Sequence, residues 1–174
     1  MADLAFQTIL DQQSIGYKDQ TARQVDALLR QKKLSLASVE MVTDGLWSEL
    51  LDVAQMDHRF LKGSLVLHAL DAKIRLCQLK PGTIQSYGEY SLEAAKEMAL
   101  GVRLLFGAHL GVSVLGQFTT ILEEEDRDMS IFVAINHKDF DLAKSYQIQV
   151  QSDCQETAAI TALVLLKQAL TLKV

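Results

Sequence analysis

Residues 34–45 read L-S-L-A-S-V-E-M-V-T-D-G. The first half, residues 34–39, is short, apolar and rich in small side chains, which is typical of a strand buried on both faces of a sheet. From Thr43 onward the apolar residues follow the spacing of a helix. They are Leu46, Trp47, Leu50, Leu51 and Ala54. A buried strand that leads directly into a helix is the building unit of α/β proteins.

Further strands are predicted after this unit. Apolar runs over residues 61–70, 109–115 and 129–136 indicate three of them, and the first is continuous enough to suggest burial on both faces. Residues 136–139, N-H-K-D, are typical of a turn. The returning strand, residues 146–150, alternates apolar side chains with glutamines, so we expect a hairpin whose second strand lies toward an edge of the sheet.

Helices are predicted between and after these strands. One begins near Thr21, a short one covers residues 71–79, and residues 80–82, K-P-G, are predicted to be a turn. Ser91 is a favourable N-cap for a long helix that Gly107 ends.

A last helix is predicted after Asp153, which with Glu156 resembles a capping box. The alternation of helices and strands predicts a single three-layer α/β/α domain with a mixed, mostly parallel sheet and a hairpin near its C-terminal part.

Length and composition set the domain organisation. The chain has 174 residues, about the size of one ordinary domain, and its single proline and nine glycines indicate few obligatory turns. Residues 1–18 carry only a short amphipathic pattern and are predicted to be an N-terminal extension or extra helix. The domain itself is therefore expected to cover residues 19–174.

Charge and cysteine content limit the partners and the compartment. The formal net charge of −5 predicts no binding to nucleic acid or to an anionic membrane surface. The longest nearly unbroken apolar stretch, residues 158–166, is much shorter than the roughly 20 residues of a membrane helix. Cys77 and Cys154 lack C-x-x-C spacing, and no signal-peptide pattern precedes residue 30, so we expect a cytoplasmic protein with reduced thiols.

No metal or cofactor is predicted. The histidines, at positions 58, 68, 109 and 137, do not have the spacing of a metal site. The common phosphate-loop, dinucleotide and nucleophile-elbow motifs do not occur. The acidic run over residues 123–128 lacks the spacing and glycine of a calcium loop and is predicted to be a solvated loop.

Two positions beside predicted strands could carry chemistry. Glu40 ends the first strand and Thr43 begins the helix, where free backbone amides would suit an anion, although Thr43 as a simple N-cap is the commoner interpretation. Lys73 follows the strand predicted over residues 61–70. A lysine there is usually solvated, but one held in a dry pocket can act as a general base.

These two segments resemble motifs of the CinA C-terminal domain family, the competence-damage-inducible proteins whose active members are nicotinamide mononucleotide amidohydrolases. The first family motif reads approximately L-x-L-A-x-x-E-S-C-T-G-G. Here Met41 replaces the serine and Asp44 replaces a glycine. The positions that match are Leu34, Leu36, Ala37, Glu40, Thr43 and Gly45.

Three other segments extend the resemblance, which runs from about Leu34 to Leu170. The second motif, near G-G-V-V-A-Y-S-N-E-A-K-x-x-L-L-G-V, is similar to residues 62–79, where His68 replaces the tyrosine. The third, V-T-G-I-A-G-P, keeps only Val114 and Gly116, and G-A-V-S-E-E-T is similar to residues 88–94. The second motif matches at Gly63, Val66, Ala72, Lys73 and Leu76, and the last at Gly88, Ser91 and Glu93.

The resemblance implies a hydroxyl nucleophile that attacks a carboxamide, a lysine that helps move the proton, and release of ammonia. Met41 offers only a thioether, which has no proton to lose and cannot form an acyl intermediate. Phe118, Thr119 and Thr120 place side chains where a glycine-rich loop would let backbone amides approach a phosphate. Asp44 adds a negative charge at the helix start.

We therefore expect a CinA C-terminal-like protein that has lost nicotinamide mononucleotide deamidase activity and acts as a binding or regulatory module for a small molecule. One alternative is a divergent amidohydrolase acting on nicotinamide mononucleotide or a related amide, with Thr43 or Ser38 as nucleophile and Lys73 as base. Another is a structural subunit of a homo-oligomer, and we expect self-association in any case. The residues expected to bind the ligand are Glu40, Met41, Thr43, Gly45, His68, Lys73 and Gly116.

Overall fold

The computed structural model describes residues 15–54, 60–119, 127–150 and 154–172. Most of the predicted N-terminal extension, the predicted cap Asp153 and most of the acidic run lie outside these ranges. In the part of the chain that is described, no helix is both long enough and apolar enough to cross a lipid bilayer.

Five strands among the described residues form one mixed sheet in the order β2-β1-β3-β4-β5. β1 pairs in parallel with β2 and with β3, whereas β3, β4 and β5 pair antiparallel, so β4 runs against the other four. The strands are β1 (Leu36–Glu40), β2 (Leu61–Val66), β3 (Leu110–Thr119), β4 (Arg127–His137) and β5 (Asp141–Val150).

Helices cover both faces of this sheet, which confirms the predicted three-layer α/β/α class. α1, α2 and α6 form one layer, while α3 and α5 form the other and α4 packs against α5. The helices are α1 (Ile15–Lys32), α2 (Leu46–Ala54), α3 (Leu70–Cys77), α4 (Pro81–Tyr87), α5 (Leu92–Phe106) and α6 (Cys154–Leu172).

β1 is buried on both faces, as its sequence predicts. Leu36 faces the α1, α2 and α6 layer, where it packs with Trp47 and Leu110, whereas Ala37 and Val39 face the α3 and α5 layer. Each large apolar side chain that is fully buried in this way contributes about 1.5–3 kcal/mol. Because its side chains point alternately to the two faces of the sheet, β1 contributes to the hydrophobic core on each face.

α5 lies unusually close to its neighbours because glycines stand at the contacts. A Cβ atom on Gly101 would lie 1.9 Å from the carbonyl oxygen of Cys77 in α3, and one on Gly111 of β3 would lie 2.0 Å from the carbonyl oxygen of Ala99. The Ser113 hydroxyl also donates a hydrogen bond from β3 to the α5 backbone. Only a hydrogen atom fits at positions 101 and 111.

The ends of α5 and the C-terminal hairpin are as predicted. Ser91 accepts a hydrogen bond from the Ala94 amide at 3.1 Å, and Gly107 ends the helix with a left-handed φ of 58°. β4 and β5 pair from Asn136 and Asp141 outward, and β5 is an edge strand of the sheet.

Three predicted boundaries are wrong. β2 ends at Val66 and is a partly exposed edge strand, because an apolar run does not encode how many neighbours a strand has. Residues 80–82 are not a turn: Lys80 is the residue before α4 and Pro81 is its first residue, a position where proline's missing amide costs nothing. α1 begins at Ile15, before the predicted start at Thr21.

Replacement of Gly101 by alanine should destabilise the protein by about 3 kcal/mol, because the new methyl group would meet backbone that cannot rotate away. Gly82→Ala is the matched control: it also adds a methyl group to a helix, but no atom lies within 4 Å of the new Cβ. Urea unfolding followed by circular dichroism measures both. Equal stability of the two variants would contradict the close contact between α3 and α5.

Candidate functional site

The carboxyl end of β1 lies at a reversal of the strand order. The chain leaves β1 through α2 on one face and leaves β2 through α3 to α5 on the other, so that β2 and β3 flank β1. In open α/β sheets, ligands bind at such reversals, outside the carboxyl ends of the strands. Met41 follows β1 directly, and its amide donates to the carbonyl oxygen of Val114 in β3 at 3.0 Å.

Glu40, the last residue of β1, is fully buried and caps α2. Its carboxylate accepts hydrogen bonds from the amides of Trp47 (3.1 Å) and Ser48 (3.0 Å). It also accepts from the hydroxyls of Thr43 (2.7 Å) and Ser64 (3.0 Å). A carboxylate of the protein therefore occupies the helix start that, by sequence alone, would also suit an external anion.

Thr43 does not cap α2 with its own side chain, contrary to the predicted N-cap. It is fully buried, and its hydroxyl donates to Glu40. Gly45 lies in the same turn with a φ of 94°, a conformation that glycine adopts without strain. Thr43 and Gly45 thus shape the turn between β1 and α2.

Lys73 lies in α3 with its side chain fully buried against Met41. Its ammonium is 3.4 Å from the Met41 Sδ atom, donates to Glu89 and lies 5.1 Å from the centre of the Tyr90 ring. A buried ammonium needs a nearby counter-charge, which Glu89 supplies. The structure therefore brings Lys73 and position 41 together, as the motif resemblance implies.

A pocket of about 480 Å³ opens in front of Met41, between the ends of β1 and β3. At its mouth His68 Nε2 lies 3.2 Å from Asp44 Oδ1, and both side chains are exposed. A Cβ atom at Gly116 would lie 2.7 Å from Val42, so only glycine fits at this position of the pocket wall. The lining residues are Met41, Val42, Asp44, His68, Tyr90, Gly116, Gln117, Phe118, Cys154 and Gln155.

The predicted ligand-binding residues separate into two groups. Met41, His68 and Gly116 line the pocket, and Lys73 lies behind two of its lining residues, Met41 and Tyr90. The other predicted residues, Glu40, Thr43 and Gly45, belong to the turn beneath α2.

Sequence reasoning missed several residues of the site. Glu89 and Tyr90 lie between the matching positions Gly88 and Ser91, where a comparison with the A-V of the family motif could have identified them. Cys154 reaches the pocket from the start of α6, and no local pattern indicates this.

The described residues contain no group of three or more histidine, cysteine, aspartate or glutamate side chains that could hold a metal ion. Burial, followed by the charge of Glu89, raises the pKa of the Tyr90 phenol. Tyr90 is therefore an uncharged hydrogen-bonding group at neutral pH.

Substitution of Glu40 by glutamine should destabilise the protein by about 2 kcal/mol, because an amide group would face donors that need an acceptor. Glu49→Gln makes the same change on an exposed residue in the first turn of α2 and should alter the free energy of unfolding by less than about 0.5 kcal/mol. Thermal and urea unfolding would measure both variants. A Glu40→Gln protein as stable as the control would contradict the capping role.

The two thiols should differ in reactivity. Burial raises the pKa of the Cys77 thiol to about 12, so almost no thiolate forms at pH 8, whereas Cys154 is partly exposed in the pocket. With an aromatic disulfide reagent at pH 8, the native protein should release about one equivalent, and the second only after unfolding. Cys154→Ser should abolish the native reaction and Cys77→Ser should not; the reverse pattern would contradict this assignment.

Comparison with known proteins supports the motif resemblance. The family profile described as CinA C-terminal domain matches residues 18–170. A CinA-like protein of Petrotoga mobilis is 34% identical over 102 residues, covering 59% of this chain and 25% of that protein. A CinA-like protein of Chlorobaculum tepidum is 42% identical over 90 residues, covering 51% of this chain and 21% of that protein. The chain thus matches about a quarter of the length of these curated relatives.

A solved structure shares the fold. It is the crystal structure of the competence damage-inducible protein A from Klebsiella pneumoniae, with a TM-score of 0.71 and 21% identity, covering 90% of this chain and 99% of that chain. At this identity the similarity concerns the fold alone. Together with the profile match, which covers most of the sequence, it leads to one conclusion: the chain belongs to the CinA C-terminal domain family.

Proposed function

We propose that this chain is a member of its family without nicotinamide mononucleotide deamidase activity, which binds a small molecule in the Met41 pocket as a binding or regulatory module. The observation that carries the proposal is the 3.4 Å contact between Met41 Sδ and Lys73 Nζ. It places a thioether where the family motif would present a serine hydroxyl to the lysine.

The reaction implied by the family needs a proton donor and a base at this contact. A thioether has no proton to give, so Met41 fails as the nucleophile in any protonation state. The Lys73 nitrogen is buried and already engaged by Glu89 as well as by Met41, so it is not directed at a ligand in the pocket. Glu89 stands at the alanine position of the motif G-A-V-S-E-E-T, so two residues that contact the retained Lys73, Met41 and Glu89, differ from the family motifs.

The divergent-amidohydrolase alternative is less well supported. Its candidate nucleophiles are both fully buried and already engaged as donors: Thr43 donates to Glu40, and Ser38 donates to Ser64 at 2.7 Å. Neither is among the residues that line the pocket. A hydroxyl that is buried beneath α2 is not placed to attack a bound amide.

The structural-subunit alternative predicts that Met41 and Phe118 fill the former site. An open pocket with polar lining groups such as Asp44 and Gln117 favours a ligand instead. Self-association stays part of the proposal, and light scattering over a range of concentrations would test it. A cytoplasmic location also stays part of it, and is compatible with Cys77 and Cys154 being free thiols.

The purified protein should release no ammonia from nicotinamide mononucleotide above the rate of a heat-inactivated sample, because Met41 supplies no nucleophilic hydroxyl. A coupled glutamate dehydrogenase assay measures ammonia directly. The positive control is a family member that carries the serine at the position of Met41.

Turnover comparable with that of the serine-bearing relative would refute the proposal. If slow turnover were found, Lys73→Ala and Thr43→Ala would then separate the alternatives. Loss of activity in both variants would support a divergent amidohydrolase, and unchanged activity in both would reject that assignment of residues.

A further inference from the structure

We infer that the Met41 pocket binds a flat aromatic ligand that carries no negative charge, and that it discriminates against phosphates and carboxylates. This inference rests on the proposed function, since it names the ligand class of the same site. It follows from the side chains that form the pocket wall, and from the fact that Asp44 lines the pocket whereas the Lys73 ammonium does not.

Part of the pocket wall is aromatic and thioether surface. Phe118 is 46% exposed at the end of β3, Tyr90 comes from the segment before α5, and Met41 lies at the end of β1. Aromatic rings and thioethers pack favourably against the face or edge of another ring. Gly116 also lines the pocket, and a Cβ atom there would be too close to Val42.

No free cation among the described residues lines this pocket. Lys73 is close in space, but its ammonium is fully buried behind Met41 and paired with Glu89. Its charge is therefore already balanced within the protein, and an anionic ligand would have to compete with a carboxylate that is held in place. The family lysine is thus present without being available to a ligand.

The charged group that does reach the pocket is a carboxylate. Asp44 lies at the mouth, exposed, with His68 beside it. The start of α6 opposes it with a partial positive charge, roughly half an elementary charge. Glu156 in the first turn of α6 pairs with Lys18 at 3.2 Å, so that ion pair adds little net charge. Among the described residues, the full charge of Asp44 exceeds the partial charge of the α6 start, so the balance at the mouth is negative.

The remaining polar groups suit an uncharged or cationic partner. Tyr90 keeps its phenolic proton, and Gln117 offers both an amide donor and an acceptor. Such groups can orient an amide, amidine or ring nitrogen, whereas a phosphate is usually held by cations or by several backbone amides.

Three compounds that share one ring and one planar substituent test this directly: benzamidine is cationic, benzamide is neutral and benzoate is anionic. Each would be titrated into the full-length ¹⁵N-labelled protein at pH 8 and followed by the amide resonances of Gly116, Gln117 and Tyr90. We expect benzamidine and benzamide to shift these resonances, and benzoate to bind about tenfold more weakly than benzamidine.

Two matched variants assign the effect to the pocket. Asp44→Asn should reduce the ratio of benzamidine to benzoate affinity at least threefold. Asp139→Asn should leave it unchanged, because Asp139 lies in the β4–β5 turn, at the opposite end of β3, where His137 pairs with Leu110. Phe118→Ala should weaken the binding of all compounds that bind.

Benzoate binding as tightly as benzamidine would overturn the inference, as would the absence of pocket shifts with all three compounds. A ratio unaffected by Asp44→Asn would overturn the role given to Asp44 and with it the charge argument. These outcomes are independent of ammonia release: the protein could lack deamidase activity and still fail this test, or bind benzamidine and yet show turnover.

Discussion

The rest of the structure depends on the buried carboxylate of Glu40. It joins the end of β1 to two amides of α2 and to the hydroxyl of Ser64 in β2, so that one side chain fixes the position of three elements. The negative charge is tolerated in the interior because each acceptor position is met by a donor and because it lies at the positive end of a helix. The turn that presents Met41 to the pocket is held by the same contacts.

The sequence predicts those parts of the fold that depend on local pattern. The unit β1–α2 could be predicted because the apolar spacing changes from a continuous run to helical periodicity, and α5 because Ser91 and Gly107 supply recognisable ends. The edge position of β2 could not, since it depends on which strands pair rather than on the composition of the strand. α4 was missed because a proline suits both a turn and the first position of a helix.

Of the candidate site, too, the sequence predicts only the residues that a local motif identifies. Met41, His68 and Gly116 could be identified from motif positions, and the structure places all three on the pocket. The capping role of Glu40 could not be predicted, because a sequence does not specify whether the amides of a helix start bind an external anion or a side chain of the protein. The pairing of Lys73 in α3 with Glu89 in the segment before α5 is a tertiary contact, which no spacing rule specifies.

The close approach of α5 to α3 and β3 also bears on how the pocket can diverge during evolution. With hydrogen atoms at positions 101 and 111 touching backbone, the inner surface of α5 tolerates little growth, and its alanines cannot enlarge without moving the sheet. The segment just before the helix, which carries Glu89 and Tyr90, is partly exposed and contacts the helical layer through side chains, as in the pairing of Glu89 with Lys73. New ligand preferences can therefore arise by exchange of side chains in this short segment, while the geometry of the helix behind it is left intact.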